Sequence, residues 1–168
     1  VRAGLMEEPL FSTNAPSCRW PEDRSWWYRK TFDAPAELVA EEVVELVFHG
    51  LDYYAQVFLN GTLIGESENA LVPAVFDAKH RLVAGENTLV VRLTAGSERA
   101  KEQRMPESTA ENIYANRQHF GGRRELRKPQ FTYGWDWVDT LPNIGIWHGV
   151  EMRGFSGLRI ADLRHETC

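Results

Sequence analysis

The densest run of chemistry-bearing side chains is Arg127-Lys128-Pro129-Gln130-Phe131-Thr132-Tyr133-Gly134-Trp135-Asp136-Trp137. Asp136 stands between two indoles. A carboxylate in that setting accepts hydrogen bonds from a pair of sugar hydroxyls, while an indole covers the apolar face of the ring. Trp135 and Asp136 are therefore the leading substrate-binding candidates. They are accompanied by Gln130, Arg127 and Lys128; a solvated basic rim accounts equally well for the last two. A structural reading of the same run stays open, in which the aromatics pack a core and Asp136 caps a turn. Cleavage of a glycosidic bond needs two carboxylates about 5–10 Å apart. Asp136 and Asp139 are close in sequence, but nothing around them resembles a catalytic loop. No catalytic residue is assigned, and the chain is expected to be inactive alone.

Other chemistries lack their residues. There is no G-x-x-x-x-G-K-[ST] phosphate loop, no G-x-G-x-x-G, no H-E-x-x-H and no G-x-S-x-G. His49, His80, His119, His148 and His165 never fall at metal-ligand spacing, so neither a metal nor a cofactor is expected. Asn60-Gly61-Thr62 has the form of a glycosylation acceptor, although a hairpin turn explains the same residues. Cys18 and Cys168 form no disulfide framework.

The elements that must position the aromatic run have a period of two. Val44, Leu46 and Phe48 share one face of their segment, as do Ala55, Val57 and Leu59, then Leu89, Val91 and Leu93. Phe131, Tyr133, Trp135 and Trp137 alternate with Thr132, Gly134 and Asp136. Each pattern predicts a strand with one buried face. Asn60-Gly61 predicts a tight hairpin pairing Tyr53–Leu59 with Thr62–Gly65. Ala84-Gly85-Glu86-Asn87 predicts a turn before Thr88–Leu93, and Pro35-Ala36-Glu37 one after Trp27–Phe32. The charged stretch Ser97 to Lys128 interrupts this rhythm; Ser97–Gln103 suits a short helix, and the rest is expected to be mobile. Gly154-Phe155-Ser156-Gly157 reads as a linker, and Leu158–Arg164 as the start of a strand. Short strands without βαβ alternation predict an all-β antiparallel sandwich over 1–155. Residues 156–168 then read as a linker and the start of a following domain.

Composition agrees. The 168 residues carry 19 Lys plus Arg against 24 Asp plus Glu, and the resulting charge of −5 argues against a nucleic-acid partner. No run approaches the roughly eighteen apolar residues of a membrane-crossing helix. Val1-Arg2-Ala3-Gly4-Leu5 shows neither an initiator Met nor a charged segment leading into an apolar one, so no signal peptide is read there. Six Trp, five Tyr and eight Phe make 11% of the chain. The Trp gather at 20–27 and 135–147, where they serve either a core or a sugar platform.

One resemblance runs through almost the whole length. Its residues are Ala3-Gly4-Leu5, Glu8-Pro9, Trp26-Trp27-Tyr28-Arg29-Lys30-Thr31-Phe32, Leu51-Asp52, Val57-Phe58-Leu59-Asn60-Gly61 and Ala84-Gly85-Glu86-Asn87-Thr88-Leu89. It continues through Gly134-Trp135-Asp136-Trp137 and Pro142-Asn143-Ile144-Gly145-Ile146-Trp147. The chain resembles the N-terminal, sugar-binding-type domain of family 2 glycoside hydrolases, in the β-mannosidase branch. The resemblance implies a jelly-roll sandwich of the galactose-binding type, lacking its first strand here. It implies that the catalytic carboxylates lie on a separate (β/α)8 barrel, and that Trp135 and Asp136 help hold a terminal β-linked mannose or similar hexose. Two departures bear on which sugar is preferred: Val138-Asp139 stands where the branch commonly has Gly-Pro, and Asn14-Ala15 where it often has Asn-Glu. The alternatives are a stand-alone carbohydrate-binding module and a purely structural module of a larger protein.

Overall fold

The computed structural model describes residues 4–102, 126–134, 139–160 and 163–167, with the backbone alone at 100–102. Their strands are β1 (Trp26–Ala34), β2 (Val43–Phe48), β3 (Leu51–Asp52), β4 (Tyr54–Leu59) and β5 (Thr62–Glu68). They continue with β6 (Ala74–Asp77), β7 (Gly85–Thr94), β8 (Gly145–Ile146) and β9 (Val150–Phe155). A sheet in the order β1-β7-β4-β5 packs against one in the order β6-β2-β9, and β3 with β8 makes a two-stranded ribbon. Every strand pairing is antiparallel. The expected all-β sandwich is therefore the observed architecture.

The alternation read from the sequence builds the core. Val44, Leu46 and Phe48 from β2 meet Ala55, Val57 and Leu59 from β4 and Val91 and Leu93 from β7 in one buried cluster. Burial of such side chains is worth about 25 cal/mol per Å² of apolar surface, which makes this layer the main stabiliser of the fold. Val47, on the opposite face of β2, is buried as well. The two adjacent tryptophans part company: Trp26 packs against the core and donates its Nε1–H to the Pro21 carbonyl at 3.0 Å. Trp27 lies exposed on the outer sheet face, stacked on Phe58 at 6.2 Å.

The hairpin forms where Asn60-Gly61 places it. Asn60 (φ 50°) and Gly61 (φ 79°) take the left-handed region, and Leu59 pairs with Thr62. The second strand runs on to Glu68, three residues beyond expectation, after a register shift at Val57/Phe58. A buried amide locks the turn from behind. Asn87 Oδ1 accepts from Val83 N–H and Asn60 Nδ2–H, while Asn87 Nδ2 donates to the carbonyls of Val83 and Gly85.

Several local expectations are corrected. The alternation from Phe131 to Tyr133 belongs to a 3-10 turn, Gln130–Tyr133, not a strand. Pro129 precedes it, and the Pro129 carbonyl accepts both the N–H and the hydroxyl of Thr132, which curls the backbone. The remainder of that run, residues 135–137, lies outside the described residues. Pro35 opens a short helix, α1 (Ala36–Ala40), rather than a simple turn. The helix expected from Ser97 is α2 (Ser97–Glu102); Gln103 and the charged stretch to residue 125 lie outside the described residues. Gly154 and Phe155 belong to β9, whose mostly exposed residues give no alternation to read. Neither 158–160 nor 163–167 is in a strand among the described residues; Leu158 and Ile160 are exposed.

Candidate functional site

The segment that leads into Trp135 is held from below. Leu126 and Lys128 are buried and Arg127 is exposed between them. Ala70 N–H donates to the Arg127 carbonyl at 2.9 Å, and Arg127 N–H donates to the Tyr53 hydroxyl at 3.3 Å. Lys128 thereby points inward. Its Nζ sits 2.7 Å from Asp52 Oδ1 at the end of β3 and donates to the Asn143 carbonyl at 2.7 Å. The rings of Tyr53 and Tyr133 lie 6.0 and 5.9 Å from the ammonium, within cation–π range. With Lys128 only 2% exposed, the solvated-rim reading of this residue is overturned. Burial at such a site is tolerated because charge, carbonyl and aromatic faces replace the lost water.

Electrostatics follow from this burial. Desolvation raises the Asp52 carboxyl above the ordinary carboxylate range, while the neighbouring ammonium pulls it down. Desolvation lowers the Lys128 ammonium, with Asp52 and then Glu22 acting in the opposite sense. Glu22 is itself buried; one oxygen pairs with Arg19 at 2.5 Å. Its Oε2 has no hydrogen-bond partner among the described residues.

A cleft of about 670 Å³ opens beside the pair, lined by Tyr28, Asp52, Phe131, Asn143, Ile144 and Trp147, among others. Phe131 and Trp147 are 72% and 57% exposed, so each offers a ring to whatever enters. Trp147 is held there by Gly50. The Trp147 backbone N–H donates to the Gly50 carbonyl at 3.1 Å, and a Cβ on Gly50 would lie 2.5 Å from the indole. A second hollow, about 420 Å³, separates the N-terminal segment from residues 131–144 and is lined by Leu10, Glu22, Phe131, Asp139 and Leu141, among others.

The candidates read from the sequence fall unevenly. Trp135 and Asp136 lie outside the described residues. The positions flanking them are closed into a loop base, however: Leu141 N–H donates to the Thr132 carbonyl at 2.9 Å and the Thr140 hydroxyl to the Tyr133 carbonyl at 3.0 Å. Gln130 is exposed and donates its amide to the carbonyls of Leu126 and Lys128. Arg127 is exposed on the same segment. Asp52, Asn143, Phe131 and Trp147 were not singled out as site residues. The signal for Asp52, Asn143 and Trp147 lay in the quoted Leu51-Asp52 and Pro142–Trp147 motifs and that for Phe131 in the aromatic run itself; none carries chemistry until the fold sets them around one cleft. Among the described residues, no group of three or more His, Cys, Asp and Glu is placed to hold a metal ion.

The fold is thus a two-sheet antiparallel sandwich with an aromatic-walled cleft beside the β3–β8 ribbon. The family described as glycosyl hydrolase 2 galactose-binding domain-like matches residues 1–148, and the chain belongs to it. It is 35% identical over 165 residues to β-mannosidase B of Emericella nidulans, covering 98% of this chain and 19% of that protein. To β-mannosidase B of Aspergillus clavatus it is 34% identical over 159 residues, or 94% of this chain and 18% of that one. The crystal structure of β-D-mannosidase from Dictyoglomus thermophilum superposes with a TM-score of 0.83 at 33% identity, over 96% of this chain and 19% of that chain. The chain thus spans about a fifth of the length of these relatives.

Proposed function

We propose that this chain is the non-catalytic, sugar-binding-type domain of a β-mannosidase-like family 2 glycoside hydrolase. In this reading it packs on a (β/α)8 catalytic barrel and contributes Trp135 and Asp136 to the terminal-sugar subsite. Gln130 and Arg127 supply the polar rim of the same segment. Neither nucleic acid nor membrane enters the reading. The observation that carries it is the match of nearly the whole chain, in sequence and fold, to about a fifth of proteins named as β-mannosidases. Holding the hydroxyls that do not react fixes the ring for attack, and domain-supplied contacts of this kind lower the barrier when they tighten in the transition state.

The test is Asp136→Ala in the full-length polypeptide that carries this chain, assayed with 4-nitrophenyl β-D-mannopyranoside. Two charge-assisted hydrogen bonds, worth about 1.5–3 kcal/mol each, correspond to a loss of about 10²-fold or more in kcat/KM. The thermal midpoint should stay where it was. Loss of the midpoint with unchanged kcat/KM would reassign the domain as structural. Micromolar binding of free mannose by the 168 residues alone would reassign it as a stand-alone binding module.

A further inference from the structure

We infer that Lys128 and Asp52 form a positioning pair for the sugar site, fixing the 3-10 turn Gln130–Tyr133 and the segment from Thr140 to Asn143 against β3. The inference rests on the function proposed above. Both partners of the ammonium, the Asp52 carboxylate and the Asn143 carbonyl, line the cleft, one from β3 and one from the segment that enters β8, the strand paired with it. Lys128 lies 2.7 Å from each and so pins the two segments to its own. The ammonium also closes a circuit. Lys128 precedes the 3-10 turn Gln130–Tyr133, whose carbonyls at Thr132 and Tyr133 accept from Leu141 and Thr140. Asn143 follows two residues after Leu141. One buried cation therefore ties β3, the segment entering the Trp135–Trp137 run and the segment leaving it.

A pair kept only for stability would be an odd choice at this position. Burying both charges costs desolvation that an apolar pair of similar volume avoids, whereas a fixed charge pair defines one geometry. Recognition of a hexose ring needs that geometry, because a displacement of about 1 Å can cost about 10²-fold in turnover. Neither residue is assigned contact with the reacting atoms; each acts through Asn143 and the loop base.

The experiment compares the full-length polypeptide with Asp52→Asn and with the double variant Asp52→Leu/Lys128→Met, which removes both charges together. Readouts are the thermal midpoint, kcat and KM for 4-nitrophenyl β-D-mannopyranoside, and hydrogen exchange at the Leu141 amide. The double variant is expected to melt within a few degrees of wild type and to lose at least about 10-fold in kcat/KM. Leu141 exchange should accelerate by a similar factor. Asp52→Asn, which keeps the shape and an acceptor oxygen, should show a smaller loss in the same direction and supplies the comparison if the double variant does not fold. Wild-type turnover in the folded variants, with Leu141 exchange unchanged, would overturn the inference and leave the pair purely structural. A wild-type polypeptide that releases no 4-nitrophenol refutes the proposed function instead. The pair is then judged on Leu141 exchange alone: acceleration supports it, and no change overturns it.

Discussion

Asn87→Ala is expected to be among the most damaging single changes outside the apolar core. The side chain is 1% exposed and makes four hydrogen bonds of 2.8–3.0 Å, to Val83 N–H, Asn60 Nδ2–H and the carbonyls of Val83 and Gly85. Truncation strands all four partners. Gly85 and Asn60 lie at the surface, so part of the loss is made good by water. With one to two groups left dry at about 1–3 kcal/mol each, the cost should be about 3 kcal/mol. At a urea slope of about 2 kcal/mol/M, the midpoint of unfolding should fall by about 1.5 M. The assay is urea denaturation followed by tryptophan fluorescence, with the slope checked for constancy. Asn87→Asp is the companion variant, because it keeps the shape and the acceptor but turns a carboxylate oxygen toward two carbonyls. It should cost at least as much as alanine. A midpoint shift below about 0.3 M for Asn87→Ala, or a neutral Asn87→Asp at pH 7, would refute the view that this amide locks the hairpin.

Two further outcomes follow from the residues beneath the cleft. Gly96 has φ 79°, and a Cβ there would lie 2.2 Å from Cδ1 of the buried Tyr53 ring. Gly96→Ala should therefore cost about 3 kcal/mol and lower the thermal midpoint by about 10 °C; an unchanged midpoint would mean that Tyr53 is not wedged. Lys128→Met leaves Asp52 buried without its cation, which drives a carboxyl already raised by burial further upward. The folded state then holds a proton that the unfolded chain releases, so stability should fall as pH rises from about 4 through neutrality. Melts at pH 5 and 7.5 should show a larger drop than wild type, and Asp52→Leu/Lys128→Met should abolish the excess. Equal drops in all three proteins would refute the assignment.

What the sequence made legible was whatever is encoded locally. Val44-x-Leu46-x-Phe48 and its counterparts in β4 and β7 announce their buried faces because strand period and burial coincide. Asn60-Gly61 announces its turn because few residue pairs accept positive φ. β3 and β8 were illegible for the opposite reason. Each has two residues, and their pairing, Leu51 with Ile146 and Asp52 with Gly145, spans most of the chain. β9 was missed because an exposed edge strand has no alternation. Phe131 to Tyr133 misled because a 3-10 turn with the aromatics at i and i+2 looks like the start of a strand. Lys128 was the costliest misreading. Its charged neighbour Arg127 is exposed, and only the contact with Asp52, 76 positions away, turns it inward. Recognition of the aspartate-containing aromatic motif reached the family, but the supporting residues beneath it are tertiary facts.

The Asn60 side chain has a consequence for how the chain can be produced. Both hydrogens of its Nδ2 are already committed, to the Arg81 carbonyl and to Asn87 Oδ1, each at 2.8 Å. The Asn60-Gly61-Thr62 sequon therefore presents no free amide once the hairpin has closed. A glycan would replace one of those two hydrogens and set a bulky branch against the Arg81 carbonyl. In a secretory host the oligosaccharyltransferase and the closing hairpin compete for the same nitrogen. Chains modified first would carry a permanently unlatched turn, and occupancy of this sequon would act as a clock for how fast the hairpin forms.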